Sequence, residues 1–201
     1  GVNVYMALEF DGTYAEGKGW TAPDSYDARI RPWYREAAQS MGPIIVEPYE
    51  DLGTGALVLS VVTPVRSVQG VLVGVAGVDV DLEALRTMVL ERRVMGEDFG
   101  FLVNEEGNFL VARQKSLVLK ERIDVSSDAV PGAMARFGAV MLQNRRGVGD
   151  VPIDGINYRV FHLRTSDDLI FAHAFPLDSL RKIVVSAARQ YAAFAMGFAV
   201  L

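Results

Sequence analysis

The chain of 201 residues contains no cysteine. Disulfides, thiolate nucleophiles and zinc sites built on Cys are therefore excluded. The absence does not identify a compartment, although it fits an oxidising one, where a free thiol is a liability. Histidine is nearly as scarce: His162 and His173 are the two present, both inside strand-like runs of the second half. No HExxH, GxSxG or Ser-His-Asp arrangement occurs, and the many carboxylates form no recognisable acid–base pair. The glycines of GVLVGVAGVD stand at 70, 74 and 77 within a strand pattern, so the dinucleotide fingerprint is not met. The carboxylates of DVDLE read as a helix cap plus a pocket group rather than as a cation site. There is no dense Lys/Arg run, and the net charge is −5, which argues against general affinity for nucleic acid. The expectation is no enzyme, no cofactor and no metal.

What the chain does have is a globular composition, 50% hydrophobic and 22% charged, and enough length for one large domain or two small ones. Three stretches carry hairpin chemistry: VYMALEFDGTYAEG around Asp11-Gly12, FGFLVNEEGNFLVA around Gly107, and VPIDGINYRVFHL around Asp154-Gly155. GALVLSVVTPVRS and GVLVGVAGVDVD are too β-branched and glycine-rich for helices, and the turn at Ser67, Gln69 and Gly70 pairs them antiparallel. Helices are read in RPWYREAAQSM, with Pro32 in its first turn, and in LEALRTMVLERR, which follows Asp81 as N-cap and aligns Leu82, Leu85, Met88 and Val89 on one stripe. Two further helices are read in DAVPGAMARFGAVMLQNRR and LDSLRKIVVSAARQYAAF. The fold class is α+β, with two halves of similar pattern, each an antiparallel sheet with flanking helices. The expected division is residues 1–92, residues 93–180, and a C-terminal helix over 181–201.

Both ends suggest a piece of a longer protein. GVNVYMALEF reads as a strand already under way, without Met, basic region or cleavage site. At the other end, Tyr191 to Leu201 is an uncharged run preceded by Arg181, Lys182 and Arg189. It is shorter than the roughly 20 apolar residues a span requires, and reads as the start of a membrane helix. The plainer reading is a hydrophobic helix packed on the core.

The densest chemistry lies in YDARIRPWY, Tyr26 to Tyr34. Core packing does not need its arginines, and a solvated face does not need its Trp. A small zwitterion needs a guanidinium for its carboxylate, a carboxylate and ring faces for its ammonium, and a pocket that excludes water. Tyr26, Arg31, Trp33, Tyr34, Tyr49 and Asp79 supply that set. Each also has an ordinary reading: Tyr26 packing a loop, Trp33 a core ring, Tyr49 a sheet aromatic, Asp79 a helix cap, and Arg31 paired with Glu36 or Asp27.

The spacing resembles the double Cache ligand-binding domain of bacterial transmembrane receptors, in its amino-acid-binding subset. That family's motif is Tyr, four residues, Arg, any residue, Trp-Tyr, two residues and Ala, then a Tyr, then an Asp late in the following strand pair. Here it is filled by Tyr26, Arg31, Trp33-Tyr34, Ala37, Tyr49 and Asp79. Gly19-Trp20 and FGFLVNEEGNFLVA extend the resemblance over nearly the whole chain. The resemblance implies two PAS-like modules, the first membrane-distal with the pocket and the second membrane-proximal, and a long N-terminal helix that precedes Gly1. It implies that Arg31 and Trp33, assisted by Tyr49, hold a ligand carboxylate, that Tyr26 and Asp79 hold its ammonium, and that Tyr34 shapes the wall. The implied protein is a homodimeric inner-membrane receptor whose sensor region faces the periplasm and binds an L-amino acid. An amine, purine or carboxylate sensor, or a ligand-free module that docks a periplasmic protein or dimerises, are the alternatives.

Overall fold

Alternation sets the first strand. In Val2–Leu8 (β1) the side chains of Asn3, Tyr5 and Ala7 are buried while those of Val2, Val4 and Met6 face outward, the period of two that a one-sided sheet demands. The computed structural model describes residues 2–91 and 93–198. Gly12, at φ 75°, turns the chain into Tyr14–Glu16 (β2), which pairs antiparallel with β1. A short 3-10 turn, Ala28–Ile30, is capped by the Asp27 side chain, which accepts the Arg29 N–H. It leads into Pro32–Gln39 (α1), where Pro32 occupies the first turn. The strands Ile44–Glu50 (β3), Leu57–Arg66 (β4) and Leu72–Asp81 (β5) complete a sheet of order β2-β1-β5-β4-β3, antiparallel throughout.

Strand β3 has no counterpart in the sequence reading. Pro48 argues against a strand interior, and the structure accommodates it at the sheet edge, with a register irregularity between Val46 and Tyr49. The helix Leu82–Glu91 (α2) starts where expected, with the Asp81 carboxylate accepting the Glu83 N–H at 2.8 Å. Its apolar stripe is not a core face: Leu82 is buried, whereas Met88 is 61% exposed.

The second half repeats the plan. Phe99–Val103 (β6) and Phe109–Val111 (β7) are followed by a 3-10 turn at Lys115–Leu117 and by Gly132–Gln143 (α3). Arg146–Ile153 (β8), Ile156–Arg164 (β9) and Ile170–Pro176 (β10) follow, then Leu177–Phe198 (α4). The order is β7-β6-β10-β9-β8. Asp154 and Gly155, at φ 49° and 78°, form the two-residue turn between β8 and β9. The chain divides into two compact units, Gly1–Thr87 and Met88–Leu201. Each carries its own core, Tyr5, Trp33, Tyr34, Val46 and Val62 in the first and Phe101, Phe109, Ile123, Met141 and Ile170 among others in the second. This is the α+β arrangement of two PAS-like modules expected from the sequence.

Residues 199–201, where the apolar C-terminal run ends, lie outside the described residues. Among the described residues no helix is long and apolar enough to cross a membrane. Along α4, Ile183, Val184 and Val185 are exposed.

Candidate functional site

Register brings the first polar cluster together. Asn3 on β1 and Ser60 on β4 both stand opposite Asp79 on the central strand β5, so one row across three strands is polar and buried. Ser60 Oγ donates to Asp79 Oδ1 at 2.5 Å and lies 2.9 Å from the Tyr49 hydroxyl. Tyr49 in turn lies 3.4 Å from both Asp79 and the Tyr5 hydroxyl. Burial pushes the Asp79 carboxyl above its ordinary range, against the pull of the Ser60 and Tyr5 hydroxyls. Burial likewise pushes the Tyr49 hydroxyl up to about 12 and raises Tyr5, Tyr14 and Tyr26. These rings are hydrogen-bonding groups at neutral pH, not ionised ones.

Above that row stands a wall of rings. Trp33 meets Tyr5 edge-on at 4.9 Å, and Tyr14 meets Trp20 and Tyr26 at 5.7 and 5.3 Å. Tyr5 fits because the residue opposite it is Gly77, where any Cβ would fall 2.5 Å from the phenol ring. Arg31 ends the 3-10 turn in extended backbone, just before Pro32. Its guanidinium donates to the Glu50 carbonyl at 3.2 Å and lies 5.8 Å from the centre of the Tyr49 ring. The Asp27 pairing weighed for Arg31 goes to Arg29 instead, at 2.8 Å. Among the described residues, therefore, Arg31 faces a carbonyl and a ring rather than a carboxylate partner.

A cavity of about 10 Å³ is lined by these groups: Tyr26, Arg31, Trp33, Tyr49 and Asp79, together with Tyr5, Tyr14, Trp20, Asp51 and Leu52. Five of the six residues picked from the sequence thus come together. Tyr34 does not line it. Adjacent helix positions point about 100° apart, and with Trp33 turned to the cavity, Tyr34 is buried on another side, its hydroxyl donating to Glu9 at 2.7 Å. Of the residues that the sequence reading did not select, Tyr5 carried one signal, its place on the inward side of the alternating strand β1, whereas Ser60 is hidden in a run with the buried Val58 and Leu59.

Residues 4–87 match the methyl-accepting chemotaxis protein-like first PDC sensor domain. The chain is similar to chemoreceptor sensor domains, its first unit matching this family. It is 33% identical over 130 residues to the methyl-accepting chemotaxis protein McpG of Pseudomonas putida, a match covering 65% of this chain and 20% of that protein. To PctB of Pseudomonas aeruginosa it is 31% identical over 179 residues, covering 89% of this chain and 28% of PctB. The chain thus spans less than a third of the curated relatives it matches. Among solved structures, the ligand-binding domain of the Pseudomonas fluorescens chemoreceptor CtaA, in complex with L-isoleucine, superposes with a TM-score of 0.68 at 26% identity. That match covers 90% of this chain and 71% of CtaA's domain. The domain of Pseudomonas aeruginosa PctC in complex with GABA gives 0.63 at 28% identity, covering 87% and 72%. The double Cache resemblance read from YDARIRPWY therefore holds for the family and the fold.

Proposed function

We propose that this double Cache domain is the extracytoplasmic sensor of a membrane receptor and binds a small L-amino acid between Arg31 and Asp79. The observation that carries the reading is one aromatic-walled cavity with a guanidinium and two carboxylates, Asp51 and the buried Asp79, in its lining. Arg31 offers the fork geometry that a ligand carboxylate takes up, and Asp79 is the anion for its ammonium. Desolvation makes Asp79 costly when nothing cationic is near, so its interaction free energy favours the liganded state. Trp33, Tyr26 and Tyr49 give rigid walls and hydroxyl or indole donors at small entropic cost. The occupant of CtaA's solved domain is an L-amino acid, which agrees with this chemistry. In this reading the domain does no chemistry itself, and the receptor is anchored in the membrane and dimeric.

At about 10 Å³ the cavity has room for roughly one water, so a ligand must part its walls. The turn Asp51–Gly55 is the movable wall. The Asp51 carboxylate holds it by accepting the Thr54 N–H and hydroxyl at 2.9 and 2.6 Å, and Gly53 rests on the Trp20 ring, where a Cβ would fall at 3.1 Å. Opening and reclosing this turn gives the two states between which a ligand shifts the balance. A thermal-shift screen against the proteinogenic L-amino acids, with purines, polyamines and simple carboxylates beside them, tests the reading, because a ligand bound to the folded state raises the melting temperature by mass action. The expected result is a rise with one or more L-amino acids. A rise with polyamines alone would overturn the assignment, since they leave Arg31 without an anion.

A further inference from the structure

The larger cavity belongs to the second unit. It measures about 60 Å³ and its walls are Phe99, Phe101, Phe109, Leu117, Val130 and Met134, with Arg113, Gln114 and Asp154 also in the lining. Its position in the fold repeats that of the first cavity. Both are bounded by the first two strands of their unit, by the entry to the helix that follows them, and by the end of the third strand: β1, β2, Arg31–Trp33 and Tyr49–Asp51 in one, β6, β7, Val130–Met134 and Ile153–Asp154 in the other.

The chemistry differs. The body of the second cavity is apolar, and its charge lies at the rim. Arg113 stacks over the Phe99 ring, its guanidinium carbon 4.6 Å from the ring centre, and donates through one nitrogen to Asp154 at 3.0 Å. Both partners are about half exposed, so this single bond is weak and exchangeable. A guanidinium held over a ring at the mouth of an apolar slot suits a molecule with an apolar body and one carboxylate. The body enters among the phenylalanines, and the carboxylate takes the fork of Arg113 from Asp154. A zwitterion does not fit: no carboxylate stands deep in this cavity, where an ammonium would be desolvated.

We propose that the second unit is a separate binding site for a small apolar monocarboxylate, of the size of an aromatic or branched-chain acid. The probe is benzoate, with benzyl alcohol as the uncharged control. Methyl-labelled methionine gives the readout by NMR, because Met134 lines the cavity and its signal is assigned by its loss in Met134→Leu. In the unmodified protein, benzoate shifts the Met134 methyl signal saturably and benzyl alcohol binds more weakly. Arg113→Gln, a change at a half-exposed position, weakens benzoate about tenfold or more and leaves benzyl alcohol unchanged. Arg31→Ala leaves the Met134 response intact, which separates this site from the first. No shift of Met134 at about 10 mM benzoate overturns the site. Equal binding of the alcohol, or an Arg113→Gln variant that binds benzoate normally, overturns the carboxylate recognition. Loss of the response in Arg31→Ala shows it to be relayed from the first cavity and overturns the proposal.

Discussion

Asp79 stands three residues before α2, and Ala174 stands three residues before α4. Counted from those helix starts, the buried row Asn3–Asp79–Ser60 of the first sheet corresponds to Phe99–Ala174–Val160 of the second. Strand order and pairing are the same in both sheets, so neither fold nor register requires the polar row. Its cost in the first unit, a desolvated carboxylate in a network of hydroxyls, is borne without a structural need. In the proposed reading, that cost belongs to a binding site placed on the fold rather than to the fold itself. The second unit shows what the same scaffold does with that row filled by apolar groups: it packs Phe99 against Tyr158, and the charged groups of its cavity, Arg113 and Asp154, are half exposed.

The hardest test of this comparison is to write the first unit's charge into the second. Ala174→Asp places a carboxylate where its neighbours are Phe99 and Val160, with no serine to meet it. An unpaired buried charge of this kind costs about 3–5 kcal/mol. Urea unfolding followed at the Met134 methyl should move to lower denaturant. The tryptophan transition should stay in place, because Trp20 and Trp33 both lie in the first unit. The reverse change, Asp79→Ala, should leave the ligand-free first unit as stable or more so while removing its binding.

The two units should also answer pH in opposite senses. Asp98, buried in the second unit, accepts the N–H groups of Val94 and Met95 at 2.8 and 2.6 Å and bonds the His173 ring at 2.7 Å. Although burial opposes it, these bonds hold the carboxyl down at about 2. As pH falls the unfolded chain takes up this proton first. The contribution of Asp98 is therefore complete above about pH 4 and is lost as pH drops towards 2, on the order of 2 kcal/mol. His162 acts the same way at milder acidity. Burial, and then Arg164, lower its affinity for a proton, and among the described residues neither ring nitrogen has a hydrogen-bond partner. Its contribution begins to fall as pH drops below its unfolded value of about 6.5. Asp79 has the opposite sign. Its raised carboxyl takes up the proton first in the folded chain, so its contribution is full below about pH 4 and is lost as pH rises through the folded value. Tryptophan fluorescence for the first unit and methyl NMR for the second separate the two, and Asp79→Asn should flatten the first.

A smaller effect sharpens the geometry. Gly77→Ala drives a methyl into the Tyr5 ring and should cost at least about 1 kcal/mol in the first unit. It should also weaken amino-acid binding, which calorimetry would detect. If stability falls but affinity stays, Tyr5 is a packing ring and not part of the binding wall.

Much of this was legible in the residues. The hairpins at Gly12, Gly107 and Asp154-Gly155 announced themselves because positive φ leaves few choices of residue. The cluster around YDARIRPWY stood out because cations and rings together have no use in a core. What stayed hidden is equally instructive. Strand β3 was obscured by Pro48, which an edge strand tolerates and a central one does not. The Tyr34 placement depended on how α1 is rotated, which the adjacent pair Trp33-Tyr34 leaves open until the helix packs. The second cavity was invisible because FGFLVNEEGNFLVA reads only as a hairpin, and the arrangement of Phe99, Phe101 and Phe109 is what leaves a space between them.

The measurement that bears most directly on the account is calorimetric titration of the protein with the L-amino acids selected by the thermal screen, repeated on Arg31→Ala and Asp79→Asn. Charge-assisted hydrogen bonds of this kind contribute about 1.5–3 kcal/mol, so each variant should bind roughly 10- to 100-fold more weakly, while Arg113→Gln binds as the unmodified protein does. Undiminished binding in both first-unit variants would contradict the placement of the site between Arg31 and Asp79, and with it the reading of the two units as one fold carrying two different chemistries.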